Sequence, residues 1–496
     1  MNKKYISEII TEKQIAKWQP GQNITLSAGT GAGKSHFIKY RLNDFAASQG
    51  KKVLLLVHRL NCLNQFTKEL ENKTDNINIV TYQSIETEIK RTGKPYDFSE
   101  YGYIVSDEFH YFISDAGFNV TTDMSLNEIL DAKDQVKIFM SATGEIVRKY
   151  INEFKGIQTI DLDFDSNYKH IKHIRFFESD ENIEEYINYA IERKDKSMFF
   201  IQSAEKAYQL YKKYKKHSML NVSKSNDKYY KYVDEKKVNQ MLSDERFDDL
   251  ILITTTTMDT GVNIIDPDIK NIVIDVFDPY TIKQCVGRKR ITDNERINLY
   301  IKNSDGKKLN GMKRASTARK EKADYLQWHG SDEYVKKYAR DTDISNMVYV
   351  DTAKGLRGKT ELKINELMLF YSENMIEMID KMLKRKRGYA KYVAGMFDMS
   401  RKYDFEHNPS ENEKTEELNK FLKSYEGIEM LQVKDRKPVI DAIDVKSNGR
   451  QLKKIEALNS ALEELEVDYR IVQYRKTISV DGKRKNYPNA WKVTHI

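Results

Sequence analysis

Ala28-Gly-Thr-Gly-Ala-Gly-Lys-Ser35 stands between the apolar run Asn23-Ile-Thr-Leu-Ser27 and the helix-like segment His36-Phe-Ile-Lys-Tyr-Arg-Leu-Asn-Asp-Phe-Ala-Ala47. Strand, glycine-rich turn and helix in that order read as a phosphate-binding loop. Gly29, Gly31 and Gly33 let the backbone take conformations closed to other residues and approach a ligand. The amides of Gly29, Thr30, Gly31, Ala32 and Gly33, at a helix N-terminus, are then placed to surround a triphosphate. Lys34 reaches the β and γ phosphates, and the Ser35 hydroxyl holds Mg²⁺. A glycine-rich surface turn is the alternative; the Lys34-Ser35 pair in its strand-loop-helix setting argues against it. The first position is Ala28, not the glycine of the general pattern.

The rest of the composition bounds what such a loop serves. A chain of 496 residues, 40% hydrophobic and 32% charged, is long enough for two to four folded domains and unlike a disordered one. No apolar segment approaches bilayer length, and the start Met-Asn-Lys-Lys-Tyr-Ile-Ser-Glu lacks the apolar core of a signal peptide, so a cytoplasmic protein without a membrane role is expected. Two cysteines, Cys62 and Cys285, form neither a disulfide framework nor a metal cluster. Residues 311–496 hold 37 basic and 30 acidic side chains, against 46 and 45 in residues 1–310. The positive excess therefore sits in the last third, where a polyanionic partner is expected to make contact.

Short β-branched runs alternate with amphipathic stretches over the first 300 residues. Strands are expected at 24–28, 53–57, 77–81, 103–106 and 137–140, with helices at 35–48, 60–71 and 82–91. A second series has strands at 171–177, 197–201, 219–222, 250–254 and 271–276, with helices near 182–193, 204–216 and 229–243. This is the signature of βαβ units on parallel sheets, and two consecutive α/β domains follow, joined near 163–169. The expected division is 1–165, 166–305, a helical accessory region at 306–440 with a helix over 361–383 and a polar linker at 406–417, and a small basic α+β domain at 441–496. In the last of these, a helix at 449–465 and two strands at 468–480 and 486–496 around Asp481-Gly-Lys483 resemble half of a winged-helix module.

Asp107-Glu-Phe-His110 ends the apolar run Tyr103-Ile-Val-Ser106, so two acids emerge at the carboxyl end of a central strand, where open α/β sheets bind ligands. Asp107 is placed to hold Mg²⁺. Glu108 is placed to orient and deprotonate the water that attacks the γ phosphate. By itself an Asp-Glu pair at a strand end is equally a solvated turn; the upstream phosphate loop gives it meaning.

At these residues the chain resembles a superfamily 2 helicase of the DExH kind, in which an AxxGxGKS loop is usual. Ala28 to Ser35 corresponds to motif I, Asp107 to His110 to motif II, and Ser141-Ala-Thr143 to motif III. Val57-His-Arg-Leu-Asn-Cys-Leu-Asn-Gln65 resembles motif Ia, with Arg59 facing a phosphate backbone. Thr81-Tyr-Gln-Ser84 resembles the next nucleic-acid motif, through Thr81 and Gln83. Phe199 to Ser203 stands at motif IV, Thr254 to Ile264 at motif V with Gly261 and Asn263, and Gln284-Cys-Val-Gly-Arg-Lys-Arg290 at motif VI. The resemblance implies two tandem RecA-like P-loop NTPase domains that close on ATP and Mg²⁺. Gly261, Asn263 and Gln284 would lie at the nucleotide, and His110, Ser141 and Thr143 would couple its state to nucleic-acid grip. Arg288 and Arg290 would act as arginine fingers, although the shortened motif VI leaves open whether Lys289 or Arg290 faces the phosphate. That shortening looks most like phage, plasmid and replication-type helicases. Gln14 is placed either to read adenine or simply on an exposed helix.

The tail adds a nucleic-acid hypothesis of its own. From Tyr469 to Ile496, seven basic residues face one acid, Asp481, with Tyr469, Tyr474, Tyr487 and Trp491 interleaved. They read either as stacking faces beside phosphate contacts or as the core of a small domain. The cluster Lys384-Arg-Lys-Arg387 reads as a solvated helix end. The leading expectation is an ATP-dependent DNA helicase or translocase acting on single-stranded or forked DNA, with replication or phage-encoded partners. The alternatives are a remodelling translocase that does not separate strands, and a replication-initiation adaptor that uses ATP as a switch.

Overall fold

The structure, a computed structural model, describes residues 5–29, 32–58, 63, 66–67, 76–117, 119–164, 168–256, 263–291, 295–338, 347–350, 361–406, 409–447, 450–465, 467–480 and 483–495. Strands β1 (Asn23–Ala28), β2 (Lys52–Val57), β3 (Ile77–Thr81), β4 (Tyr101–Asp107), β5 (Val136–Ser141) and β6 (Thr159–Phe164) form a parallel sheet in the order β3-β2-β4-β5-β1-β6. Helices cover both faces, so the inner strands are near-continuous apolar runs: Val53, Leu54, Leu55 and Leu56 are all fully buried. At the edge, β6 reads Thr-Ile-Asp-Leu-Asp-Phe, a mixture of half-buried and exposed residues with none buried, and its signal is too polar to stand out in the sequence.

A second parallel sheet holds β7 (Ile171–Phe177), β8 (Lys196–Ile201), β9 (Ser218–Asn221), β10 (Ile251–Thr254), β11 (Ile269–Asp275) and β12 (Ile297–Lys302), ordered β7-β12-β11-β8-β10-β9. Ile297, Leu299 and Ile301 of β12 are buried while the residues between them are half-buried. The protein is thus an α/β fold with two parallel sheets.

Beyond β12 the helix Glu366–Leu383 lies against both sheets' helices. Leu367 and Phe370 join the core of the first domain, where Lys155 pairs with Glu366 at 2.7 Å and Lys149 donates to Asn374 at 2.7 Å. On the side of the second domain, the Tyr371 hydroxyl donates to Asp278 at 3.4 Å. The helix begins later than expected because Leu362–Ile364 pairs as a strand with Val348–Val350.

Two compact units are present, Met1–Leu383 with Gly388–Asp404, and Lys384–Arg387 with Phe405–Ile496. This corrects the expected boundary at 440. Leu418, Leu422, Met430, Val439 and Ile440 share one core with Leu458, Leu462, Ile471, Trp491 and Val493, so residues 405–440 belong with the tail. The polar linker expected at 406–417 is also corrected: Pro409–Ser424 is a helix, anchored by the buried Leu418 and Leu422 near its end. Two further helices, Val433–Ile443 and Ile455–Glu464, and a long hairpin of Tyr469–Val480 with Lys483–His495 complete this unit. Asp481 and Gly482 lie outside the described residues. Among the described residues no helix is long and apolar enough to cross a membrane.

Candidate nucleotide and coupling site

In the first sheet β1, β5 and β4 are adjacent, with Ser27 level with Ser141 and Asp107 level with Met140. Residues that follow their carboxyl ends therefore converge on one crevice. After β1, Gly33 takes a left-handed φ of 85° as the residue before the helix that starts at Lys34. A Cβ there would also lie 3.2 Å from the Tyr5 ring. The Ile6 amide donates to the Ala32 carbonyl at 3.0 Å, so the N-terminal segment braces the loop. Nothing in the sequence signals that brace. Ser35 is exposed, and Thr30 and Gly31 lie outside the described residues. Gln14 accepts from the Thr11 amide at 2.8 Å in a capping box, which favours the exposed-helix reading of that glutamine.

Lys34 Nζ lies 2.8 Å from Glu108 Oε1. On the other side Glu108 Oε2 is 3.2 Å from His110 Nδ1 and 3.5 Å from Ser141 Oγ, while His110 Nδ1 and Ser141 Oγ are 2.9 Å apart. Glu108 holds this place at a φ of 49°, a conformation uncommon for a residue with a side chain and found preferentially where surroundings enforce it. The enforcement is visible next to it. Phe109 is 2% exposed, packs edge-to-face on Phe139 at 5.7 Å, and fills the space where a side chain on Gly144 would go.

Burial and the neighbouring Glu108 carboxylate raise Asp107 to about 6, against the pull of Lys34. Its Oδ1 is buried without a hydrogen-bond partner. Burial acts upward on Glu108 too, but the Lys34 ammonium and the His110 hydrogen bond hold that carboxyl well below the usual range. Two adjacent acids are thus pushed apart in acidity by their partners.

The second domain reaches this cluster through the helix Pro279–Arg288. Its start is fixed by proline in the first turn and by Asp278, which accepts from the Thr281 amide at 2.8 Å. Gln284 donates to Thr143 Oγ1 at 3.1 Å, and Thr143 in turn donates its amide to Ser141 Oγ at 3.0 Å. The preceding residue, Lys283, pairs with Glu145 at 2.8 Å, a cross-domain contact the sequence did not indicate. Gln284 therefore meets a motif III residue in this structure.

Past the helix, the Lys289 side chain is fully buried on Glu295, and its ammonium donates to the Arg290 carbonyl at 2.7 Å. Arg290 bonds Asn263, and its Nη1 is buried without a partner. Burial and the adjacent Arg288 lower Arg290 to about 10, while Glu108 and Glu245 act the other way. Of the two residues left open by the sequence, it is Arg290 that lies in the field of Glu108. Arg288 is buried at the helix end. Gly261 and most of motif V lie outside the described residues, as do Arg59 and Cys62.

Thr81 caps the helix Tyr82–Thr92 by accepting from the Ser84 amide at 3.2 Å, and Gln83 donates to the His58 carbonyl at 3.5 Å. Both line an open depression of about 390 Å³ with Ser84, Thr87, Glu88 and Arg91.

Residues 67–146 match the family "Type III restriction enzyme, res subunit", a span that includes β3, β4 and β5 and the Asp107-to-Thr143 cluster. No curated protein matches the chain. Among solved structures, S. cerevisiae Dbp5 bound to RNA and ADP BeF3 is similar at 16% identity and TM-score 0.42, over 58% of this chain and 81% of that one. Mss116p bound to ssRNA and AMP-PNP is similar at 14% and 0.42, over 66% and 81%. A fragment of a putative HsdR subunit of a type I restriction enzyme from Vibrio vulnificus YJ016 is similar at 17% and 0.38, over 57% and 59%. Likeness at these scores assigns no activity to this chain. The match over residues 67–146 is thus confined to the first of the two parallel α/β sheets and takes in the strand ends that carry Asp107, Glu108, Ser141 and Thr143.

Proposed function

We propose that this protein is an ATP-driven nucleic-acid motor, with DNA as its track, hydrolysing ATP between its two RecA-like domains. The observation that carries the reading is one hydrogen-bonded chain from Lys34 through Glu108, His110 and Ser141 to Thr143 and Gln284, joining the phosphate loop to the second domain. A group that bears on Glu108 at one end thereby bears on the domain contact at the other.

In this reading the loop amides and Lys34 bind the triphosphate, and Lys34 leaves Glu108 as it does so. Glu108, freed of its ion pair, gains proton affinity and orients the attacking water as general base. Ser35 and the unpartnered oxygen of Asp107 fit a hard divalent cation, and Mg²⁺ there supplies charge neutralisation of the phosphate oxygens. Arg290, with Arg288, brings positive charge to the γ oxygens from the second domain. Gln284 and Thr143 report that closure to motif III. Thr81, Gln83 and Arg59 contribute contacts to the strand.

The test is ATP hydrolysis measured with single-stranded DNA, duplex DNA and RNA as separate additions. Stimulation by single-stranded DNA above the other two supports a DNA motor, and a duplex-unwinding assay separates strand separation from remodelling. Hydrolysis indifferent to every nucleic acid contradicts the reading.

A further inference from the structure

The hairpin of the second unit splits into a core half and a projecting half. Tyr469, Ile471, Trp491 and Val493 are buried among its helices, whereas residues 472–479 and 484–489 are half-buried or exposed and none of them joins the core. At about 3.3 Å per residue, the strand from Arg475 to Val480 extends ~20 Å. It carries Arg475, Lys476, Arg484, Lys485 and, at its root, Lys492. Among described residues the adjoining acid is Glu429, 2.9 Å from Lys476.

The pairing sets which side chains share a face. Lys476 stands opposite Tyr487, and Ile478 opposite Lys485; on the other face Thr477 stands opposite Asn486, and Ser479 opposite Arg484. A register shift at Arg475 re-aims the strand there. Cations therefore leave the ribbon from both faces, and Arg475, Arg484 and Lys485 are exposed.

Stacking on bases is not what this surface offers. Trp491 is 4% exposed with the Arg436 guanidinium 4.5 Å from its ring centre, and Tyr469 is buried. The half-buried rings of Tyr474 and Tyr487 already have Lys492 and Lys485 ammoniums 5.5 Å from their centres. What remains is a narrow, two-stranded, two-sided cationic ribbon whose two half-buried tyrosines each already face a lysine ammonium. Single strands are held chiefly through free aromatic faces. A B-form major groove, about 12 Å wide, admits a two-stranded ribbon between two rows of phosphates, whereas the A-form major groove is too narrow.

We propose that the ribbon formed by residues 475–479 and 484–487 is a second nucleic-acid site, one that takes duplex DNA by entering the major groove and pairing its cations with phosphates on both walls. The inference shares with the motor reading only the class of its partner. The DNA duplex is engaged here while the strand-tracking site lies in the first unit.

The experiment compares the full chain with the triple variant Arg475→Ser, Arg484→Ser and Lys485→Ser, and with Arg475→Glu, Arg484→Glu and Lys485→Glu. Binding to blunt duplex DNA, duplex RNA and single-stranded DNA is measured by anisotropy across a salt series, with thermal midpoints confirming that each variant is folded. For duplex DNA the serine variant should lose on the order of 10–100-fold in affinity, and the slope of log affinity against log salt should shrink by about 3, close to 0.9 per lost phosphate contact. The glutamate variant should lose more. ATP hydrolysis stimulated by single-stranded DNA should be retained. A folded serine variant with an unchanged duplex-DNA slope overturns the proposal, as does equal loss on duplex RNA, which would exclude groove entry. Lack of stimulation by any nucleic acid in the unsubstituted protein instead strikes the motor reading and leaves the ribbon test standing.

Discussion

Gly144→Ala is expected to damage the site without touching a polar group of it. Gly144 has φ −87° and ψ 7°, so its backbone alone admits alanine. A Cβ there, however, would sit 2.0 Å from Phe109 Cζ and 2.4 and 2.8 Å from the two adjoining ring carbons. Ordinary contact begins at 3.4 Å, so the ring edge must retreat by roughly 1.4 Å. The ring is 2% exposed and pressed on Phe139, which leaves it no free space. Overpacking of this kind costs about 1–3 kcal/mol. Phe109 lies between Glu108 and His110, so its retreat also moves the carboxylate, and a misplacement of about 1 Å at a reacting group lowers turnover ~100-fold. Urea denaturation and steady-state ATP hydrolysis are the assays. Phe109→Leu combined with Gly144→Ala should recover at least about 1 kcal/mol relative to the sum of the single changes, because the smaller side chain vacates the contested space. A Gly144→Ala protein with unaltered stability and turnover would refute the argument that Phe109 clamps Glu108.

Asp123 is 1% exposed, its Oδ1 has no hydrogen-bond partner, and burial, only partly offset by Lys363, raises it to about 7. Its folded value exceeds the unfolded one, so its contribution to stability is fully present below about pH 4 and is lost as pH rises through 7. Asp123→Asn should therefore stabilise the protein by on the order of 4 kcal/mol at pH 8 and less than half of that at pH 5, read from urea midpoints. Lys289→Ala removes a fully buried ammonium from both Glu295 and the Arg290 carbonyl and should cost about 3–5 kcal/mol of stability. Arg290→Ala should leave the urea midpoint within about 1 kcal/mol of the parent yet lower turnover at least ~100-fold. Gln284→Ala should reduce the stimulation of hydrolysis by nucleic acid more than the unstimulated rate, measured side by side, because it removes the donor to Thr143.

The signals that survived from sequence to structure are those set locally. Inner strands buried on both faces, such as β2, announce themselves as apolar runs, and strand ends place Lys34, Asp107 and Ser141 along one crevice. Elements whose identity depends on partners did not. The half of Pro409–Ser424 before Leu418 is almost wholly polar, and only the shared core of its own unit identifies it as a helix. The same holds for direction: Lys289 and Arg290 are indistinguishable as sequence, and Glu295 separates them by taking the lysine. Trp491 and Tyr469 were readable equally as stacking faces or core, and packing against Leu458, Leu462 and Val493 makes them core. The docking of Ile6 on Ala32 and the Lys283–Glu145 pair join positions far apart in the chain, and neither leaves a pattern in either segment.

The central claim is that Glu108, held by Lys34 and His110 until nucleotide arrives, is the base of a nucleic-acid-driven ATPase. The most direct measurement is the steady-state rate of ATP hydrolysis by the parent protein and by Glu108→Gln, each with and without single-stranded DNA. Nucleotide binding is followed separately by a fluorescent analogue. Stimulated turnover is expected in the parent, and in Glu108→Gln retained nucleotide binding with turnover reduced at least ~100-fold in both conditions. Turnover in Glu108→Gln equal to that of the parent would contradict the central claim.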